Sequence, residues 1–407
     1  MLTDTIRKMA SIQKIASLTP IENSDFLEVA MMEDLGWKVV VKKGEFSIGD
    51  KVVYFEIDSA INVKDLAEPL KFLAEKGTKK LFTGRTPESS AFSEEYVRIK
   101  TIKLRGQISQ GLIIPWDVPI GECENGETRF VVDYLVPSDI ETGPEGVVVG
   151  TDLTKAFRVE VWDRLLEWFD ERSQLGTRAQ CHASGNFPSW CPKTDEVRLE
   201  SLMKYFTDPE MVNAEWECTV KEDGSSQTLF FCPEKWPDDP MKTASRKFLL
   251  KDDGNSDDWL NVFKSNGSLE VLKSKMRSLY ENGIPEFSPK HELAIQAEHT
   301  GSRFNGNRDR KTEDHFSVFR IFDVTDQKFV SPKVRYAICK FLGLEHVPVL
   351  ETCKIFQKLK TIDDFEKYVD RKSANGNQIE GVVFKRVDNG DISFKKVSAK
   401  YLLRNGD

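Results

Sequence analysis

The sequence predicts an α+β fold: an all-β N-terminal domain followed by a larger domain of antiparallel sheets and helices. Three observations carry this. Short β-branched and aromatic segments, separated by glycine turns, fill the region up to about residue 135. A stretch of linker composition, Glu141-Thr142-Gly143-Pro144-Glu145-Gly146, then interrupts them. From about residue 185, strand and helix periodicities alternate to the end. The implied domains are 1–137, a linker with one helix over 138–184, and 185–407.

Composition narrows the function classes. The 407 residues carry 58 basic and 66 acidic side chains, a net charge of −8. That balance argues against a protein coating nucleic acid through global charge, yet permits an enzyme with a local basic track. No apolar run is long enough to span a membrane, and the N-terminus lacks a signal-peptide core. The seven cysteines are odd in number and scattered, which suits free thiols in a reducing compartment. The expectation is a cytoplasmic monomer, cellular or phage-encoded, with no membrane partner. Cys181, His182 and Cys191 match no common zinc spacing.

In the N-terminal domain, Trp37–Val41 and Lys51–Phe55 read as strands, and one helix is expected near Lys64–Glu75. Tyr96–Arg105 reads as a longer strand in which cations alternate with apolar residues, the parity slipping at Thr101 as a β-bulge would cause. Arg98, Lys100, Lys103 and Arg105 would then form a basic stripe on one sheet. A small β-barrel with such a stripe is the usual build of an OB-like nucleic-acid-binding domain. After the linker, Val159–Phe169 reads as a helix with a Trp and Leu stripe for core packing.

The mixed domain is organised around Val220-Lys221-Glu222-Asp223-Gly224-Ser225-Ser226-Gln227. Trp216, Cys218 and Val220 alternate with polar residues, so Lys221 ends a half-buried strand on the polar face. Asp223-Gly224 reads as a tight turn, with Gln227–Phe231 returning as the partner strand of a hairpin. On a cleft wall, Lys221 is a candidate nucleophile and Gly224 allows close approach of a ligand. Leu293–Glu298 and Phe319–Val324 are further strands. Ser268–Tyr280 is a helix, and Ser331-Pro332 and Thr361 with Asp364 open two more. Ile379–Phe384 and Ile392–Val397 form a last hairpin through Asp388-Asn389-Gly390-Asp391. A two-residue Asn-Gly loop would set Phe384 opposite Lys395, put Glu380 on the face of Lys395, and send Lys385 to the other side.

Together these pieces resemble the covalent nucleotidyltransferases, the superfamily of ATP-dependent ligases and capping enzymes. Lys221-x-Asp223-Gly224 resembles motif I, Ser245-Arg246 the Ser-Arg element of RNA ligases, and Glu298 motif III. Phe322-Asp323 resembles motif IIIa, Glu380–Lys385 motif IV, and Phe394-Lys395 motif V. Lys-x-Asp-Gly-Ser-Ser, Phe187-Pro188, Pro192–Glu196 and Lys103–Gly111 are similar to the nick-sealing RNA ligases with an N-terminal OB domain, the Deinococcus-type group.

The resemblance implies an adenylyltransferase domain over 185–407 and an ATP-dependent RNA ligase acting on RNA or an RNA-containing nicked duplex. It implies AMP carried covalently on Lys221, with Mg2+ or Mn2+ held by Glu380. Lys221, Glu380 and Lys395 would be catalytic, Lys395 holding the α-phosphate. Asp223, Gly224, Arg246, Glu298, Phe322 and Lys385 would bind the nucleotide, with Phe322 stacked on adenine and Glu298 on the ribose hydroxyls. Cations near Lys221 would lower its pKa for attack. Motif V reads Lys395-Lys396-Val397, which leaves a second lysine open between Lys396 and Lys400. A capping guanylyltransferase, a DNA ligase and a non-catalytic homologue are the alternatives; only Val397–Asp407 follows motif V, too short for a second OB domain.

Overall fold

The computed structural model describes residues 7–22, 24–85, 91–122, 128–135, 137–140, 147–172, 182–254, 258–302 and 307–405. Its chain divides into two compact units, Met1–Gly176 with Leu402–Asp407, and Thr177–Tyr401. Among the described residues, no helix is long and apolar enough to cross a membrane.

In the N-terminal unit, a five-stranded antiparallel sheet runs in the order Leu112–Pro115, Lys51–Phe55, Ala10–Pro20, Leu27–Met32, Lys38–Lys42. The Val40 N–H donates to Ser109 Oγ at 2.9 Å, so the last strand meets Gln107–Gln110, the strand that leads into Leu112–Pro115. The helix expected near Lys64–Glu75 is instead three short turns, at Val63–Asp65, Glu68–Leu70 and Leu73–Lys76, with Pro69 interrupting. The expected linker is also different in kind. Val147, Leu153, Ala156, Phe157 and Val159 belong to the barrel's core, and Glu160–Val161 pairs with Ser59–Ala60. The helix Trp162–Arg172 packs Trp162, Leu165 and Phe169 against Ala60 and Phe82.

The basic stripe is broken in two. The strand Ala91–Arg98 stops, and Thr101–Leu104 starts a separate hairpin with Gln107–Gln110. Arg105 and Gly106 turn that hairpin at φ 48° and 87°, a left-handed pair that makes a two-residue loop. Lys103 and Arg105 are exposed near its tip, and Lys100 lies in the link before it. Arg98 is the exception: its guanidinium meets Asp58 Oδ1 at 2.7 Å and lies over the Trp162 ring, so it is a half-buried structural cation and not part of a binding face.

The second unit holds two antiparallel sheets. The larger has seven strands in the order Ala183–Asn186, Phe248–Leu250, Met241–Ser245, Ser225–Phe231, Leu293–Thr300, His315–Asp323, Lys328–Phe329. The smaller has four: Val349–Cys353, Trp216–Lys221, Gly381–Arg386, Ser393–Val397. Leu229, Ile295 and Ile321 share one face of the larger sheet and pack under the helices Trp259–Ser265, Leu269–Asn282 and Pro332–Leu342. Trp216, Cys218, Val382, Phe384 and Phe394 do the same in the smaller sheet, beneath Ile362–Val369. The helix starts at Ser331 and Thr361 are capped as expected, Thr361 and Asp364 forming a capping box. With the apolar faces turned outward under helices, the polar faces are left to line the site.

Candidate active site

Lys221 does not sit in a hairpin. Its strand belongs to the smaller sheet, while Ser225–Phe231 belongs to the larger, so Glu222-Asp223-Gly224 carries the chain from one sheet to the other. Gly224 makes the crossing possible: a Cβ there would lie 2.3 Å from the His299 carbonyl oxygen. Its N–H donates to Glu298 Oε1 at 2.9 Å, which ties the turn to the Glu298 strand.

In antiparallel pairs, directly opposed residues share a face. Trp216–Lys221 pairs with Gly381–Arg386 so that Lys221 opposes Gly381, Thr219 opposes Val383, and Glu217 opposes Lys385. Val383 in turn opposes Lys395. Lys221 and Lys395 therefore line one polar face. The register is one residue away from the two-residue-loop expectation, and Phe384 opposes Phe394. The reason is tertiary. The Asn389–Asp391 loop is pinned to the larger sheet, where Asp391 Oδ1 accepts the Phe329 N–H at 2.8 Å and Gly390 O accepts from Arg320 at 3.3 Å. The shift moves Lys385 onto the face of Lys395, opposite to expectation. Lys385 is nonetheless 3% exposed, and its ammonium donates to Thr219 Oγ1 at 3.2 Å.

Glu380 lies just before its strand and reaches Lys221, with Oε2 2.6 Å from Nζ. Burial alone would pull the Lys221 ammonium down, but Glu380, Glu298 and Asp223 outweigh it and hold the amine above its ordinary pKa. The expected lowering is thus reversed, because carboxylates surround the amine. Burial pushes Glu298 up to about 8, with Glu380 adding and Lys221 opposing. Lys395 is lowered by burial, Asp195 opposing and Arg198 and Lys221 adding.

Two positions missed as site residues come from the Pro192–Arg198 segment. Asp195 Oδ2 meets Arg246 at 2.9 Å, and its Oδ1 lies 3.4 Å from Lys395 Nζ, so Arg246 reaches the site through Asp195. Arg198 is bridged to Lys395 along the backbone. The motif likeness covers Pro192–Glu196 without a partner and does not reach Arg198; only the fold lays this segment against the last strand.

Other expectations are corrected. Phe322 shares the inner face of the larger sheet, but is 1% exposed and edge-to-face with Phe329 at 5.1 Å, so it is core and not an open platform for adenine. Lys396 is 1% exposed on the outer face, held by Glu200 at 2.8 Å and by Glu366. Lys400 pairs with Asp370. Neither joins Lys395. Residues 303–306 lie outside the described residues; after them, Arg308 meets Asp223 at 2.9 Å and Lys311 meets Glu222 at 2.6 Å. Cys181 also lies outside the described residues, and His182 pairs with Asp253.

A divalent cation suits Glu380. The carboxylates of Glu380, Glu298 and Asp223 all act on one lysine, and Glu380 and Glu222 add to the rise that burial imposes on Glu298. A hard cation such as Mg2+ needs only one or two carboxylates if substrate phosphates and water complete its shell. Among the described residues, the one trio of metal-type ligands within 4.8 Å is elsewhere, at His291, Asp323 and Asp326, where Lys328 already pairs with Asp326 at 2.8 Å.

An RNA ligase family model matches residues 214–402, and an OB-fold domain model matches residues 9–116. The chain thus carries an RNA ligase domain preceded by an OB-fold domain. Solved structures of Naegleria gruberi RNA ligase resemble this ligase along nearly its whole length. One with AMP and Mn has a TM-score of 0.70 at 27% identity, covering 97% of this chain and 98% of that one. Another, with ATP and Mn, has a TM-score of 0.69 at 26% identity, covering 98% of each. An apo form has a TM-score of 0.71 at 26% identity with the same coverage. No curated protein sequence matches this ligase. The N-terminal unit of the ligase thus contains an OB fold, and its second unit the nucleotidyltransferase.

Proposed function

We propose that this ligase joins 3′-hydroxyl to 5′-phosphate ends through a lysyl–AMP intermediate on Lys221, at nicks with an RNA 3′-hydroxyl strand. The observation that carries the reading is the Lys221 ammonium, fixed 2.6 Å from Glu380 on a polar face shared with Lys395 and tied to Glu298 through Gly224. In step one the Lys221 amine, having lost its proton, attacks the ATP α-phosphorus and pyrophosphate leaves. In step two the AMP passes to the 5′-phosphate and the amine is regenerated. In step three the 3′-hydroxyl displaces AMP and the phosphodiester forms.

Each step builds negative charge on phosphate oxygens, so positioning and cations do most of the work. Lys395, held less basic than usual by its burial, lies beside Lys221 and is assigned to the α-phosphate. Glu298 is assigned to the ribose, Arg246 to ribose or phosphate, and Gly224 and Asp223 to the geometry of the Lys221 turn. A metal on Glu380 would supply positive charge that opposes protonation of Lys221 and steadies the phosphate oxygens. The exposed hairpin cations Lys103 and Arg105, with Lys100, are assigned to the nucleic-acid backbone; residues 99–116 contain no acid.

Incubation with labelled ATP and Mn2+ tests the reading. The expected result is covalent label on the wild-type protein, none on Lys221→Ala, and little from labelled GTP. Equal labelling of the variant would remove Lys221 from its role, and preference for GTP would turn the reading to a capping-type guanylyltransferase. Sealing of matched nicks with RNA or DNA at each end then tests the substrate assignment.

A further inference from the structure

We propose that Tyr401 and Arg308 are positioning residues of the ligase centre, acting on Lys221 through Asp223. The proposal rests on the lysyl–AMP reading and deepens it, because it assigns a task to the helix that follows the last strand of the site. Asp223 stands two residues beyond Lys221, and its charge adds to those of Glu380 and Glu298 in favouring the Lys221 ammonium.

The structure restrains that carboxylate from two distant parts of the chain. Tyr401 Oη donates to Asp223 Oδ2 at 2.6 Å, and Arg308 Nη1 donates to the same oxygen at 2.9 Å. Arg308 also donates to the Tyr401 oxygen at 2.6 Å, and its guanidinium lies over the tyrosine ring. Tyr401 is 3% exposed, so water does not compete for these bonds. The same loop restrains the other acid of the turn, where Lys311 Nζ reaches Glu222 Oε1 at 2.6 Å and Thr300 Oγ1 at 2.8 Å.

The helix Ala399–Asn405 is in turn anchored where Tyr401 leaves it. Glu366 Oε1 accepts the Ala399 N–H at 2.8 Å, and Lys400 pairs with Asp370. Tyr401 therefore comes from a fixed platform. With Asp223 aimed at Arg308 and Tyr401, the turn holds Gly224 against Glu298 and leaves Glu380 to orient Lys221. Without those donors, the Asp223 carboxylate loses the two restraints that turn it away from the ammonium two residues before it. That would misalign the amine without removing any group assigned to ATP.

The test is single-turnover formation of lysyl–AMP across a range of ATP concentrations. Tyr401→Phe is expected to lower the maximal rate by about tenfold or more, the usual effect of losing a hydrogen bond to a charged acceptor. The ATP concentration at half-maximal rate should stay within about twofold. Tyr401→Phe combined with Asp223→Asn should be no slower than Asp223→Asn alone, because both act on one interaction. Sealing of RNA already carrying a 5′-adenylyl group, which bypasses charging of Lys221, should stay within about twofold of wild type. An unchanged maximal rate for Tyr401→Phe would overturn the proposal. So would losses that multiply in the double variant, or a parallel loss in sealing of adenylylated RNA, which would mark a purely structural role. Absence of label on the wild-type protein would instead overturn the lysyl–AMP reading itself.

Discussion

Replacing Lys385 with methionine is expected to stabilise the catalytic unit, and most strongly at or below neutral pH. Lys385 is buried, and its ammonium donates to Thr219 Oγ1. Burial pulls its pKa from 10.5 to about 7, with Arg335 adding and Glu196 and Glu217 opposing. A drop of that size corresponds to roughly 5 kcal/mol of penalty on the charged form. Methionine fills a similar volume with no charge. Losing the Thr219 bond costs about 1 kcal/mol, and buried charges replaced by apolar groups usually return about 1–4 kcal/mol. A net gain of about 2 kcal/mol follows, or roughly 5 °C in Tm for a unit of this size.

The pH dependence has a definite sign. The folded pKa lies below the unfolded one, so between pH 7 and about 10 the unfolded state binds more protons, and stability from this group rises with pH by about 1.4 kcal/mol per unit. Below about pH 7 both states are protonated and the full penalty remains. The advantage of Lys385→Met should therefore be largest at about pH 6.5 and shrink toward about pH 9.5. Urea unfolding of both proteins across that range measures it, and the difference cancels other titrating groups. A variant less stable at pH 6.5, or a difference that does not change with pH, would refute the reasoning.

Glu380→Gln should reduce lysyl–AMP formation on the order of 100-fold and raise the Mn2+ concentration needed for half-maximal rate, read by metal titration of the labelling reaction. Residues 177–407 alone should keep self-labelling from ATP while losing most sealing of nicked duplexes; the cut belongs there because 147–172 complete the barrel's core. Lys103→Ala and Arg105→Ala should each weaken RNA binding and lower the salt slope by about one, seen in titrations at several salt concentrations. Arg98→Ala should leave that slope unchanged and instead destabilise the N-terminal unit by about 2 kcal/mol, because it removes one of the two guanidinium groups that meet the buried Asp58, leaving Arg7 at 3.5 Å.

Much of the catalytic chemistry was legible because it is local. Lys221 had to end a strand on its polar face, since Trp216 and Cys218 claim the apolar one, and the structure keeps that alternation. The capped helix starts at Ser331 and Thr361 needed only a few consecutive residues to declare themselves. Where the reading failed, a distant partner had overridden a local rule. Asn389-Gly390 would make a two-residue loop alone, but Phe329 and Arg320 pin it and shift the register of Lys395 by one. Arg98 looks like its basic neighbours until Asp58 and Trp162 take it inward.

From the sequence by itself came the order of the two domains, the family, and the residue types around one lysine, because these follow from periodicity and short motifs. The tertiary structure alone decided that the turn after Lys221 crosses between two sheets, that Asp195 joins Arg246 to Lys395, and that Tyr401 closes on Asp223. Those are meetings of residues up to 200 positions apart. Nothing in the chain near either partner encodes them, since they arise only when the helices cover the apolar faces and bring the polar faces together.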